Sequence, residues 1–135
     1  MRAGRSHGMP HHQVMLLDDD QDMLDLLSVV LEKRALSAQV FTNPSQLFEA
    51  LQSVRPSIVV TDLQIDEEDG MDVCRRLTED YPEILCVVLS GDSTRRHAAL
   101  RAGADLFLLK PISSQLLVDA LLGLVRHHKV AGDAH

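Results

Sequence analysis

Five side chains in the 135-residue sequence are of types that could together hold anionic oxygens around a metal: Asp18, Asp19, Asp62, Ser90 and Lys110. Three carboxylates brought together repel and raise one another's pKa unless a cation stands between them. A few hard oxygen ligands beside a phosphate position favour magnesium, which keeps several of its waters. An ammonium and a hydroxyl add the donors that would hold the oxygens of a phosphoryl group carried on Asp62. Taken singly each residue is ordinary, since an Asp leaving a strand is more often a turn former or a cap. The weight lies in their convergence.

That convergence depends on the elements that deliver them. Gln13-Val14-Met15-Leu16-Leu17 stops at Asp18-Asp19-Asp20, Ser57-Ile58-Val59-Val60-Thr61 stops at Asp62, Ile84 to Leu89 stops at Ser90, and Leu106 to Leu109 stops at Lys110-Pro111. These short apolar runs read as strands buried on both faces. Ala38-Gln39-Val40-Phe41 adds a shorter one.

Helical periodicity fills the intervals. Met23, Leu26, Leu27, Val30 and Leu31 recur at helical spacing after Asp20 and Asp22, and Asn43-Pro44 caps a second helix striped by Leu47, Leu51 and Val54. Gly70 closes the loop before a third, which carries Val73, Cys74 and Leu77. A fourth is expected from about Thr94 to Ala102, and a fifth from Ser113 or Ser114 to about His127. Five alternations without a hairpin signal predict an α/β fold: a five-stranded parallel sheet, doubly wound as a (βα)5 flavodoxin-like domain with helices on both faces. Because all its strands point one way, the carboxyl ends of the first, third, fourth and fifth share one edge.

Composition bounds what such a domain does. The length suits one domain, assigned to residues 13–128, with 1–12 a disordered or expression-derived tail and 129–135 a flexible one. Twenty acids against thirteen bases give a formal charge of -7, which argues against direct nucleic-acid binding through a basic face. Cys74 and Cys86 form no ligand-spaced motif and read as reduced, buried thiols of a cytoplasmic protein. No apolar stretch suits a membrane span or a signal peptide. Six of the seven histidines sit near the two ends, where a solvated tail is the simpler reading than a metal site.

Leu16-Leu17-Asp18-Asp19, Val59-Val60-Thr61-Asp62 with Asp69-Gly70, Val88-Leu89-Ser90-Gly91, and Ala102-Gly103-Ala104-Asp105 leading into Leu109-Lys110-Pro111 resemble the response-regulator receiver domain of two-component signalling. The resemblance spans about Val14 to Arg126. It implies that Asp62 accepts a phosphoryl group from a histidine kinase or a histidine phosphotransfer protein. Asp18, Asp19, Asp62 and the backbone carbonyl of Gln64 would hold Mg2+ or Mn2+, directly or through water. Lys110 would pair with the phosphoryl oxygens and Ser90 would hydrogen-bond one of them. Phe107 falls at the family's aromatic switch position, and the Lys110-Pro111 bond is expected to be cis.

Gln64 and Asp92, two residues beyond Asp62 and Ser90, fall where the family flanks the hydrolytic water, so they are expected to set the phosphate's lifetime. Such a module is no enzyme beyond its own phosphotransfer and slow autodephosphorylation. Ile65-Asp66 stands where the family commonly has Met-Pro, and Glu67 and Glu68 prolong an acidic loop. Phe107 lacks the hydroxyl of a tyrosine.

Val118, Leu122 and Val125 widen the apolar surface of the last helix beyond a core stripe. They are therefore expected to form, with the fourth helix and fifth strand, a partner face for a homodimer or an output domain. Arg95, Arg96 and Arg101 read as a solvated face that could pair with acids on a partner, and Asp69-Gly70 as a turn pair without chemistry. A phosphate-independent pseudo-receiver is the alternative, though such modules usually lack the acceptor, an acidic ligand or the lysine. A haloacid-dehalogenase-type phosphatase is the other, because Asp18-Asp19-Asp20-Gln21-Asp22 approximates its opening motif. There, however, Asp22 replaces the required Thr or Val.

Overall fold

The computed structural model describes residues 12–65 and 68–133. The readings of residues 1–11, Asp66, Glu67 and residues 134–135 fall outside them. The elements run β1 (His12–Leu17), α1 (Gln21–Lys33), β2 (Leu36–Phe41), α2 (Pro44–Ala50), β3 (Ile58–Asp62), β4 (Gln64–Ile65), β5 (Glu68–Asp69), α3 (Gly70–Asp80), β6 (Leu85–Ser90), α4 (Arg96–Arg101), β7 (Leu106–Leu109) and α5 (Ser114–Asp133). Five strands form one parallel sheet in the order β2-β1-β3-β6-β7. That is the doubly wound arrangement expected, with its reversal of strand order at β1 and β3.

The strand period of two sorts the apolar residues onto two faces. Met15, Leu17, Val59, Cys86, Val88 and Phe107 pack with Leu47, Leu51, Cys74, Leu77 and Ala99, under α2, α3 and α4. Val14, Leu16, Ile58, Val60, Val87 and Leu89 pack with Leu24, Leu27, Leu31, Leu117, Val118 and Leu121, under α1 and α5. Continuous apolar runs are thus explained by helices on both sides. Local signals place the helix starts: Asp20 accepts from the Met23 N–H and Asn43 from the Gln46 N–H, the latter with proline following. Cys74 and Cys86 are buried free thiols whose Sγ atoms lie 3.5 Å apart.

The structure corrects the partner face. Val118 and Val125 are buried and Leu122 is half-buried against the same core. Their side of α5 faces the sheet and α1, so the core uses a wider arc of this helix than Leu117, Leu121 and Leu124 alone. Among the described side chains, the large apolar ones left exposed on α4, β7 and α5 are Leu100, Leu109 and Leu116. On α1 the stripe is likewise rotated: Leu24 is buried and Leu26 is 58% exposed.

Three boundaries differ from expectation. The acidic segment after Asp62 makes a two-stranded antiparallel ribbon, with Gln64 opposite Asp69 and Ile65 opposite Glu68. Its Asp69 ends as the α3 cap. A 3-10 turn at Ser93–Arg95 precedes α4, which begins at Arg96 rather than near Thr94. Finally, α5 continues to Asp133, through part of the segment read as a flexible tail. Lys129, Val130 and Ala131 carry no helix breaker before Gly132.

Candidate functional site

Asp18, Asp19, Asp62, Ser90 and Lys110 meet at the carboxyl edge of the sheet. β1 delivers Asp18, whose N–H donates to the Phe41 carbonyl at 3.2 Å and whose Oδ1 accepts from the Asp20 N–H at 3.0 Å. One carboxylate oxygen from each of Asp18, Asp19 and Asp62 lies within 4.8 Å of the others. Lys110 Nζ stands 3.1 Å from Asp18 Oδ2 and 3.1 Å from Asp62 Oδ2, bridging the two acids. The Lys110 backbone is held independently by its N–H, which donates to the Ser90 carbonyl at 2.8 Å, and the Lys110–Pro111 bond is cis.

Burial and charge set the electrostatics. Burial is the main reason the Asp18 carboxyl lies above its ordinary range, and Asp62 adds to it. The Asp20 N–H and Lys110 oppose the shift. Burial alone would lower Lys110, but attraction from Asp18 and Asp62 outweighs it and the ammonium is held above its ordinary value. A buried acid whose pKa is raised by burial, beside two more carboxylates, is a donor set that fits a hard divalent cation.

The remaining candidates surround this cluster. Ser90 is buried, and its Oγ accepts from the Asp92 N–H at 3.1 Å, which leaves its hydroxyl hydrogen to donate elsewhere. The Gln64 N–H donates to Asp62 Oδ1 at 3.3 Å, while the Gln64 side chain is exposed. The Asp92 carboxylate is engaged at home: Thr94 Oγ1 donates to it at 2.5 Å and the Thr94 N–H at 3.0 Å, and these bonds hold it below its ordinary range. Phe107 is buried opposite Val88, with the Arg96 guanidinium 6.0 Å from its ring centroid. Asp20 caps α1, so its carboxylate is committed to Met23 as the phosphatase-like reading would not have it.

Two features had no clear trace in the sequence. Asp69, taken as a turn residue, caps α3 and stands 3.5 Å from Arg95 Nη2. A cavity of about 460 Å3 opens beside Lys110 between α1 and the start of α5, lined by Met23, Leu26, Leu27, Leu89, Pro111 and Ile112 among others. Leu26, exposed by the rotation of α1, is part of its lining. Gly70, read as half of a turn pair, has a tighter role: a Cβ there would lie 2.1 Å from the Asp62 carbonyl oxygen, so only glycine lets α3 start against the strand end.

A doubly wound parallel sheet with three carboxylates, a lysine and a serine gathered at one edge defines a flavodoxin-like α/β module with an acidic edge site. The chain belongs to the response-regulator receiver domain family, whose model matches residues 14–122. It is 31% identical over 116 residues to Protein RcaC of Microchaete diplosiphon, covering 82% of this chain and 18% of that protein. It is 28% identical over 118 residues to the DNA-binding response regulator MtrA of Mycolicibacterium smegmatis, covering 87% of this chain and 52% of MtrA. The chain thus spans about half or less of these curated relatives.

A CheY-like receiver domain protein from Methanospirillum hungatei shares the fold, with a TM-score of 0.84 at 15% identity over 90% of this chain and 99% of that one. Receiver domains are signalling modules that work with histidine kinases rather than enzymes in the usual sense. No helix among the described residues is long and apolar enough to cross a membrane.

Proposed function

We propose that this chain is a metal-dependent phosphoacceptor in which Asp62 takes a phosphoryl group from a phosphohistidine donor, a histidine kinase or a histidine phosphotransfer protein. The observation that carries the reading is the Lys110 ammonium, 3.1 Å from both Asp18 and Asp62, beside three carboxylates close enough to share a cation. In the transfer an Asp62 carboxylate oxygen bonds phosphorus as the donor nitrogen leaves.

Asp18, Asp19, Asp62 and the Gln64 carbonyl would hold Mg2+ or Mn2+, which when bound offsets charge on the transferring oxygens. Lys110 moves its hydrogen bond from Asp62 to the phosphoryl group, and Ser90 donates its free hydroxyl hydrogen to another of its oxygens. The apolar cavity beside Lys110 offers the donor a surface on which to align its histidine. Slow autodephosphorylation ends the state, its rate set in part by Gln64 and Asp92.

Drawing Ser90 toward the phosphoryl group vacates space next to Val88 and Phe107, and readout follows at α4, β7 and α5. There Leu100, Leu109 and Leu116 support a second copy or an output domain. The free, buried thiols of Cys74 and Cys86 suit a cytoplasmic module. Incubation with a small acyl phosphate and Mg2+ is expected to add one phosphoryl group by intact mass, mapped to Asp62 and absent in Asp62→Asn. Labelling that persists in that variant, or occurs equally in chelator, overturns the reading.

A further inference from the structure

We propose that Arg95 is a positioning residue whose ion pair with Asp69 ties the β6–α4 turn to the loop after Asp62 and so prolongs the acyl phosphate. The inference rests on the phosphoacceptor reading and extends it to two residues outside the reacting cluster. Asp69 is mechanically joined to the acceptor. Its Oδ1 accepts from the Met71 N–H at 2.9 Å, and the adjoining Gly70 N–H donates to the Leu63 carbonyl at 2.8 Å. Gly70 itself packs directly on the Asp62 backbone.

Arg95 is joined in the same way to Ser90. Ser90 Oγ accepts from the Asp92 N–H, the Asp92 carboxylate accepts from Thr94, and the Arg95 N–H donates to the Asp92 carbonyl at 3.1 Å. These bonds are all internal to the turn, and Gly91 at its start has open space where a side chain would be. Among the side-chain bonds of residues 91–95, the contact of Arg95 Nη2 with Asp69 Oδ1 at 3.5 Å is the one that crosses to the acceptor loop. It therefore adds a tie between the turn that follows Ser90 and the loop that follows Asp62, beyond the β3–β6 pairing of Asp62 with Leu89.

With the tether cut, the turn moves more freely, the Ser90 hydroxyl spends less time on the phosphoryl group, and water reaches phosphorus more often. The side chains are 38% and 49% exposed, so the pair is weak and open to salt. Such a pair tunes a rate without bracing the fold.

The test is the decay of phosphorylated protein after donor removal in wild type, Arg95→Ala, Asp69→Asn and the double variant. Asn keeps the α3 cap while removing the charge. Each single variant is expected to decay about two- to five-fold faster, the range an exposed pair can supply. The double variant should decay no faster than either, and roughly 1 M salt should bring wild type to the same rate. Amide exchange at Asp92 to Arg95 should quicken in Arg95→Ala even without phosphate, while the melting temperature stays near that of wild type. Wild-type decay in either single variant, or fully additive effects, overturns the proposal. If the wild type takes no phosphate on Asp62, the phosphoacceptor reading itself fails and the lifetime role with it. The exchange measurement then still decides whether the pair holds the turn.

Discussion

Asp18 is the deepest of the clustered acids at 3% exposed, and it carries an electrostatic cost that the fold alone does not relieve. Burial raises its folded-state pKa above the ordinary 3.8, so the folded chain keeps that proton to higher pH than the unfolded chain. Without metal, stability is therefore expected to fall as pH rises from the ordinary value through the raised one, and to level off above it. Urea unfolding in chelator should show this slope for wild type. Asp18→Asn should flatten it and gain about 1 kcal/mol at neutral pH, while losing phosphorylation. An unchanged slope in Asp18→Asn would sink the assignment. The same residue shows how site and stability pull apart: a side chain favourable for a cation is unfavourable for the empty fold.

At the scale of elements, the start of α3 is the tightest junction next to the site. A Cβ on Gly70 would meet the Asp62 carbonyl oxygen at 2.1 Å and Leu63 Cα at 2.8 Å, both backbone atoms that cannot give way without moving β3. Gly70→Ala is expected to cost about 1–3 kcal/mol in chemical denaturation and to lower phosphorylation along with it. Loss of stability below about 0.5 kcal/mol would refute that packing.

Caps away from the site make a milder comparison. Asn43→Ala removes the bond to the Gln46 N–H, which should cost about 1 kcal/mol and leave phosphorylation at wild-type level. Such caps were readable in advance because Asn-Pro and Asp-rich starts act through local geometry. The ribbon at Gln64–Ile65 and Glu68–Asp69 was not, since an acidic run with a terminal glycine is equally compatible with an open loop.

For the whole molecule, apolar side chains from both helical layers stay uncovered around one edge of the sheet. β7 ends the sheet, and around it Leu100, Leu109 and Leu116 stay 41%, 47% and 62% exposed. If this face carries the signal, phosphorylation should raise the sedimentation coefficient or the affinity for an attached output domain. Replacing the three leucines by lysine should abolish either effect without changing phosphorylation. Sedimentation that is monomeric in every state, with no effect of the leucine variants on an output domain, would remove the face from the mechanism.

What the sequence by itself determined was the order and kind of the main elements and the identity of the site cluster. Strand runs such as Ile58 to Thr61 and Leu85 to Leu89 signal burial locally, and a parallel sheet necessarily brings their carboxyl-terminal residues to one edge. Asp18, Asp62, Ser90 and Lys110 could therefore be gathered from chain order alone. Only the tertiary structure decided the azimuth of each helix. On α1 it buried Leu24 and exposed Leu26, and on α5 it buried Val118 and Val125 while leaving Leu116 outside. The physical reason is that leucine and valine occupy several faces of these helices, so the apolar moment is broad and the neighbours choose the inward side. Arg95 and Asp69 belong to the same lesson: 26 positions apart in sequence, they become partners only because two loops end at one sheet edge.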